Sequence, residues 1–133
     1  MSVKRFELVC VTILFLAMTG AAEADVSIHC LAVGQADATL IVSSSGQTLL
    51  FDGGSNGDGD DIIVPYLTSL GISTLDYMLA SHYHADHCGG LDEVYTAVGV
   101  TEAVYDRGWS YTTITYNSYA TTVAPKRQTA TDG

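Results

Sequence analysis

Three of the four histidines in this chain fall within six positions, in the run His82-Tyr83-His84-Ala85-Asp86-His87, with an aspartate among them. So many polar side chains are costly to bury without partners, so the run belongs at the mouth of an element rather than inside one. The stretch Leu75 to Ala80 just before it is short and apolar, which predicts a buried strand that delivers Ser81 and His82 into a loop. In extended backbone, residues two apart share a face, so His82 and His84 can point the same way and grip one metal ion. Asp86 and His87 come where the chain turns toward Gly89-Gly90, and they can face a second point nearby. Two ions about 3.5–4 Å apart suit hydrolysis, because one polarises the substrate and one lowers the pKa of a water. Imidazole and carboxylate ligands suit zinc, with manganese or iron as alternatives. The competing reading is a polar surface loop, and the density of the cluster stands against it.

The rest of the chain reads as an α/β layer pattern. Val26 to Val33 and Ala38 to Ser43 are β-rich runs separated by Gly34-Gln35-Ala36-Asp37, which predicts an antiparallel pair. Thr48 to Phe51 is a third strand that ends at Asp52-Gly53-Gly54. Ser55 to Gly59 is a Gly/Asp-rich loop that lacks the spacing and terminal Glu of a calcium loop. Asp60 to Leu70 has helical apolar spacing, with Pro65 tolerated in its first turns and Gly71 as the stop. A second helix is expected from Leu91 to Val98, a strand from Thr101 to Tyr105 and a third helix from Tyr111 to Ala124, with Lys126 to Gly133 opening another element. Asp106 reads as a strand terminator at a turn.

Lys4 and Arg5, the apolar run Leu8 to Met18 and the sequence Ala22-Glu23-Ala24 predict a secretory signal peptide over residues 1–24, with an uncleaved anchor as the alternative. The apolar run is shorter than the about 20 residues of a membrane span. The remainder is therefore expected to be secreted or periplasmic. Lys4 and Arg5 leave together with Glu7 and Glu23, so the net charge of −10 is retained. Such a surface tolerates cations and repels nucleic acid phosphates. Cys30 and Cys88 remain in a compartment that permits disulfides. They can form a bridge or stay as two buried thiols, and Cys88 is also a conceivable metal ligand.

The cluster resembles the HxHxDH signature of the metallo-β-lactamase superfamily. Val33-Gly34-Gln35-Ala36-Asp37-Ala38 is similar to the VGQGDA turn of the branch that includes the extracellular domain of the competence protein ComEC. Leu49-Leu50-Phe51-Asp52-Gly53-Gly54, Pro65-Tyr66-Leu67, Leu70-Gly71-Ile72, Leu75-Asp76-Tyr77 and Gly89-Gly90-Leu91 match further segments of that branch in order. The resemblance implies that His82 and His84 hold one of two divalent ions, most simply Zn(2+), and that Asp86 and His87 hold the other. Asp86 would also orient the attacking hydroxide. Asp52 would fix ligand orientation from behind, and Asp37 would stabilise the turn or assist catalysis. Two departures stand out. Ala36 replaces a Gly of the turn, and Cys88 stands where an aliphatic residue is common.

The fold implied by the resemblance is an αββα sandwich of two similar halves, of which this chain corresponds to the N-terminal one, apparently truncated. The family's later ligands, a His, a bridging acid and a final His, have no counterpart after His87. Asp92, Glu93, Glu102 and Asp106 are acids that nothing marks as substitutes. A half-sandwich leaves one apolar sheet face without its partner layer. Three functions follow as expectations. One is an exported metal-dependent hydrolase of a phosphodiester or related ester, with a small-molecule or polymer substrate. Another is a β-lactam or other amide hydrolase on the same scaffold. The third is an inactive fragment or non-catalytic metal- or partner-binding module, with the Tyr/Thr-rich stretch Tyr111 to Thr122, containing Tyr116 and Tyr119, as a carbohydrate- or cell-surface-contacting face or as an ordinary exposed helix or loop. DNA processing is suggested by the branch alone, and the acidic charge opposes it.

Overall fold

A computed structural model describes residues 25–131, so the expected leader and Cys10 within it lie outside the described residues. Val26–Cys30 (β1), Thr39–Ser43 (β2) and Thr48–Phe51 (β3) form an antiparallel meander. From β3 onward the pairing turns parallel, through Leu75–Leu79 (β4), Val100–Asp106 (β5) and Arg127–Thr129 (β6), in the spatial order β1-β2-β3-β4-β5-β6. Parallel neighbours need crossovers, and helices supply them. A π-helical turn, Gly59–Ile63, runs into α1, Val64–Ser69, between β3 and β4. Two helices, α2 (Ala85–Cys88) and α3 (Leu91–Val98), join β4 to β5, and α4 (Ile114–Thr122) joins β5 to β6.

Several elements differ from the sequence expectation. The first strand stops at Cys30, and Leu31 to Ala38 form a loop closed by the Leu31 N–H to Ala38 carbonyl bond. The helix expected over 60–70 begins as a π-turn in which the Val64 N–H reaches Gly59, five residues back. Pro65 has no N–H to continue the ordinary ladder at that point. The expected third helix starts only at Ile114, where the Thr113 hydroxyl accepts from the Tyr116 N–H as an N-cap.

Strand periodicity places the core on one side of the sheet. Leu40, Leu50, Met78 and Val104 lie in one cross-strand row and are fully buried under the helices, with Ile63, Leu67, Leu91 and Val94 facing them. The adjacent rows face the other way and remain partly or largely exposed. Ile28, Ile41, Leu49 and Tyr77 form one, and Phe51, Leu79 and Tyr105 belong to the next. That open face is apolar, and it carries the stacked Tyr77 and Tyr105 rings. His29, the histidine outside the cluster, ties the edge strand to α1 through a 2.8 Å contact with the Tyr66 hydroxyl.

Cys30 and Cys88 are both free thiols; no bridge joins them. Cys30 is exposed on the edge strand, whereas Cys88 is sealed in the core, filling the space an aliphatic side chain would take.

Close backbone packing sets the height of the loops above β3 and β4. The Gly90 Cα faces the Gly53 carbonyl, and a Cβ on Gly90 would fall on that oxygen and on the Gly59 backbone. Neither neighbour is a flexible side chain that can step aside. Gly90→Ala is therefore expected to lower unfolding free energy by about 1–3 kcal/mol. Denaturant unfolding checks this, and an unchanged midpoint would show that the loops are not packed this tightly.

Candidate metal centre

The carboxyl ends of β3 and β4 lie side by side, and the loops after them form the site. This is where open parallel sheets present functional groups. Backbone bonds stitch three segments together there. Asp37 N–H bonds to Asp86 O, Gly54 N–H to Asp37 O, Gly53 N–H to His87 O and Gly89 N–H to Gly54 O, all at 2.7–3.0 Å. The 34–37 turn, the Asp52-Gly53-Gly54 corner and the histidine loop are thus one unit. In the turn, the left-handed residue is Gly34, at φ +69°, so Ala36 replaces a glycine without strain.

Asp52 is the pivot. It is 1% exposed and is the sole non-glycine residue with positive φ, +58°, among those described. One carboxylate oxygen accepts from the Ser81 N–H at 2.8 Å. The other accepts from the Ser81 hydroxyl at 2.7 Å and from His87 Nδ1–H at 2.9 Å. Because the Ser81 proton is donated to Asp52, Ser81 Oγ can only accept from His82 Nδ1, 3.0 Å away. One buried carboxylate therefore holds two imidazoles with Nδ1 protonated and Nε2 bare. That is the usual support for a metal-binding histidine.

The four residues expected as ligands, His82, His84, Asp86 and His87, stand in the loop above this carboxylate. The His82 ring lies 3.9 Å from that of His87 and 4.7 Å from that of His84, centre to centre. His87 Nε2 is 3.6 Å from Asp37 Oδ2 and 3.7 Å from Asp86 Oδ2. Those gaps are too long for hydrogen bonds, and they approach the about 3.4 Å spacing of two ligands around a tetrahedral ion with bonds near 2.1 Å. Asp37, expected as turn support, also brings its exposed carboxylate to this point. Among the described residues, no three His, Cys, Asp or Glu side chains form a group that could hold a metal ion in this arrangement. As chemistry the donor set fits a divalent ion: bare imidazole nitrogens and carboxylates, oriented from behind. His82 is held below the ordinary histidine pKa by burial, then by the neighbouring His87 and His84, which favours the neutral, ligating form. Cys88 is pushed up to about 11 by burial and stays a thiol, unsuited to ligation.

Tyr83 faces the opposite way from His84 and is 1% exposed. Its hydroxyl accepts from Arg127 Nη2 at 3.1 Å, and its ring packs 4.6 Å from that of Tyr116. Arg127 donates from Nε to Asp106 at 2.7 Å, and the Tyr119 hydroxyl donates to the same carboxylate oxygen at 2.9 Å. Burial opposes the charge of Arg127, yet hydrogen bonds to Asp106, Tyr116 and Tyr83 raise its pKa on balance. Asp106 is thus no mere strand terminator but a buried half of an ion pair. Tyr116 and Tyr119 are core residues, which removes them from any exposed, carbohydrate-contacting face. Two of the other unmarked acids are engaged elsewhere: Glu93 accepts from the Gly57 and Asp60 N–H groups, and Asp92 from the Ser118 hydroxyl, whereas Glu102 stands exposed on β5. Nor does Asp58 mark a calcium loop, since it accepts from the Ser55 N–H.

Imidazoles and carboxylates delivered at the ends of adjacent parallel strands define a candidate divalent-metal centre. The chain belongs to the metallo-β-lactamase superfamily, whose sequence model matches residues 31–120. Among solved structures, the fold is similar to the metallo-β-lactamase SMB-1 bound to 2-mercaptoethanesulfonate, with a TM-score of 0.56 and 20% identity. The match covers 80% of this chain and 44% of that one, so the chain spans less than half the length of this relative.

The Asp106–Arg127 pair predicts a measurable penalty. Arg127→Ala leaves a fully buried carboxylate without its cation and should cost about 3–5 kcal/mol in urea unfolding. A loss below about 1 kcal/mol would mean that the pair does not brace the histidine loop.

Proposed function

We propose that this chain is an exported, metal-dependent hydrolase of a phosphodiester or related ester, of the ComEC-like branch, forming the N-terminal half of an αββα sandwich. The observation that carries the reading is the Asp52–Ser81–His82 and Asp52–His87 hydrogen-bond chain, which leaves two Nε2 atoms bare beside His84, Asp86 and Asp37. In this reading His82 and His84 hold one ion, and Asp86 and His87 hold a second. Zinc suits these donors best, with manganese or iron as alternatives. Bound divalent ions would supply Lewis acidity and lower the pKa of water.

The chain's own residues do the positioning. Asp52 keeps the imidazoles in one tautomer, and His82, with its depressed pKa, stays neutral. Asp86, half-exposed at the start of α2, would help orient the attacking hydroxide. The turn motifs Val33 to Ala38 and Leu49 to Gly54 favour the phosphodiester branch over amide hydrolysis. Export rests on the sequence of residues 1–24.

Metal analysis of the exported product after incubation with Zn(2+), paired with hydrolysis of bis(p-nitrophenyl) phosphate and of nitrocefin, tests the proposal. Bound zinc and phosphodiester turnover are expected. His84→Ala and Asp86→Ala should each lower turnover at least about 100-fold, the scale of losing a positioned catalytic group. No bound metal, or unchanged turnover in both variants, would sink the reading. Turnover of nitrocefin alone would move it to an amide hydrolase.

A further inference from the structure

The loop after β5 opens on the same sheet edge as the histidine cluster, and it holds the least committed cation among the described residues. Of the three cationic side chains described, Arg127 is paired with Asp106 and Lys126 donates to the Thr101 carbonyl. Among the described residues, Arg107 makes no ion pair or hydrogen bond through its guanidinium, although the chain carries a net charge of −10. What holds it is aromatic. Its guanidinium carbon lies 4.7 Å from the Tyr83 ring centre, 5.6 Å from that of Trp109 and 6.0 Å from that of Tyr111. Tyr111 in turn lies 6.2 Å from the His84 ring, which makes the patch continuous with the cluster. Stacking occupies the faces of a guanidinium and leaves its in-plane N–H groups free for an anion.

Trp109 is 71% exposed, yet its backbone is pinned. Gly108 N–H bonds to buried Asp106 at 2.8 Å, and the Trp109 carbonyl accepts from the Tyr116 hydroxyl at 3.2 Å. An exposed aromatic ring on a fixed backbone is a ready stacking platform, because little ordering remains to be done on binding.

We propose that Arg107 and Trp109, with Tyr111 as the link to His84, form the substrate-recognition wall of the candidate metal centre. The ligand class is a small nucleotide-like ester. Its phosphate meets Arg107 and its planar base stacks on Trp109. A small ester fits better than a nucleic acid polymer, because the single uncommitted cation among the described residues cannot offset repulsion between a long polyanion and a chain of charge −10. The assignment rests on the hydrolase reading for its chemistry and on the Arg107 patch for its selectivity.

Trp109 is the single tryptophan of the chain, so its fluorescence reports on this wall alone. The full chain, freed of metal with a chelator, is titrated with adenosine 5′-monophosphate, adenosine and ribose 5-phosphate. The monophosphate should quench saturably and bind at least about tenfold more tightly than adenosine, the scale of one charge-assisted hydrogen bond. Arg107→Gln should bring the monophosphate down to the adenosine level, and Arg107→Lys should recover only part of the difference. Circular dichroism verifies that both variants are folded. Equal binding of adenosine and its monophosphate, or wild-type affinity in Arg107→Gln, would overturn the proposal. These titrations contain no metal and no turnover. Failure of zinc binding with quenching intact would therefore remove the hydrolase reading alone, and the reverse result would remove the recognition wall alone.

Discussion

The site depends on one buried carboxylate. Asp52 lies at the end of β3 in a left-handed backbone conformation, which costs a non-glycine residue of the order of 1–3 kcal/mol. The compensation is its set of donors: Ser81 through both N–H and hydroxyl, and His87 through Nδ1. These bonds reach from β3 to the residues after β4, so the parallel pairing of the two strands and the orientation of the imidazoles are one structural fact. The backbone bonds from Gly53 and Gly54 to His87 and Asp37 extend the same unit to the 34–37 turn.

A second anchor acts from below. Between His82 and His84 the chain alternates, so Tyr83 must point into the core when its neighbours point out. There it meets Arg127, which Asp106 holds, and the rings of Tyr116 and Tyr119. The histidine loop is fixed on its outer side by Asp52 and on its inner side by Tyr83. The two anchors come from different strands, which lets the loop keep a defined shape on an otherwise open surface. A cavity of about 600 Å³ between β1 and α1 has none of the cluster residues in its lining.

Local patterns carried most of what could be read in the sequence. The succession of strands and helices along the chain, the antiparallel pairing of β1 with β2 and the delivery of the histidine run at the end of a buried strand follow from short apolar runs and glycine stops, whereas the parallel pairing of β3 to β6 does not. Interactions between distant segments left weaker traces. Asp106 at a strand end before Arg107-Gly108 looks like a turn residue, and only the return of β6 alongside β5 brings Arg127 to it. Tyr116 and Tyr119 lie in a Tyr/Thr-rich stretch with no apolar periodicity, and their burial comes from hydroxyl partners on other elements. Cys30 and Cys88 are compatible with a bridge by compartment, but one faces solvent on an edge strand and the other is sealed beneath the loop. The approach of Asp37 to His87 depends on how the turn folds over the corner at Asp52, which spacing does not reveal.

The most direct test of Asp52 as the organiser of a metal centre is Zn(2+) titration calorimetry on wild type and Asp52→Asn. An asparagine can still accept from Ser81, but it presents no carboxylate to His87 Nδ1, so the bare Nε2 is no longer enforced. Zinc affinity should fall by about 10- to 100-fold in a variant that remains folded by circular dichroism. Equal zinc affinity in the two folded proteins would contradict the role assigned to Asp52.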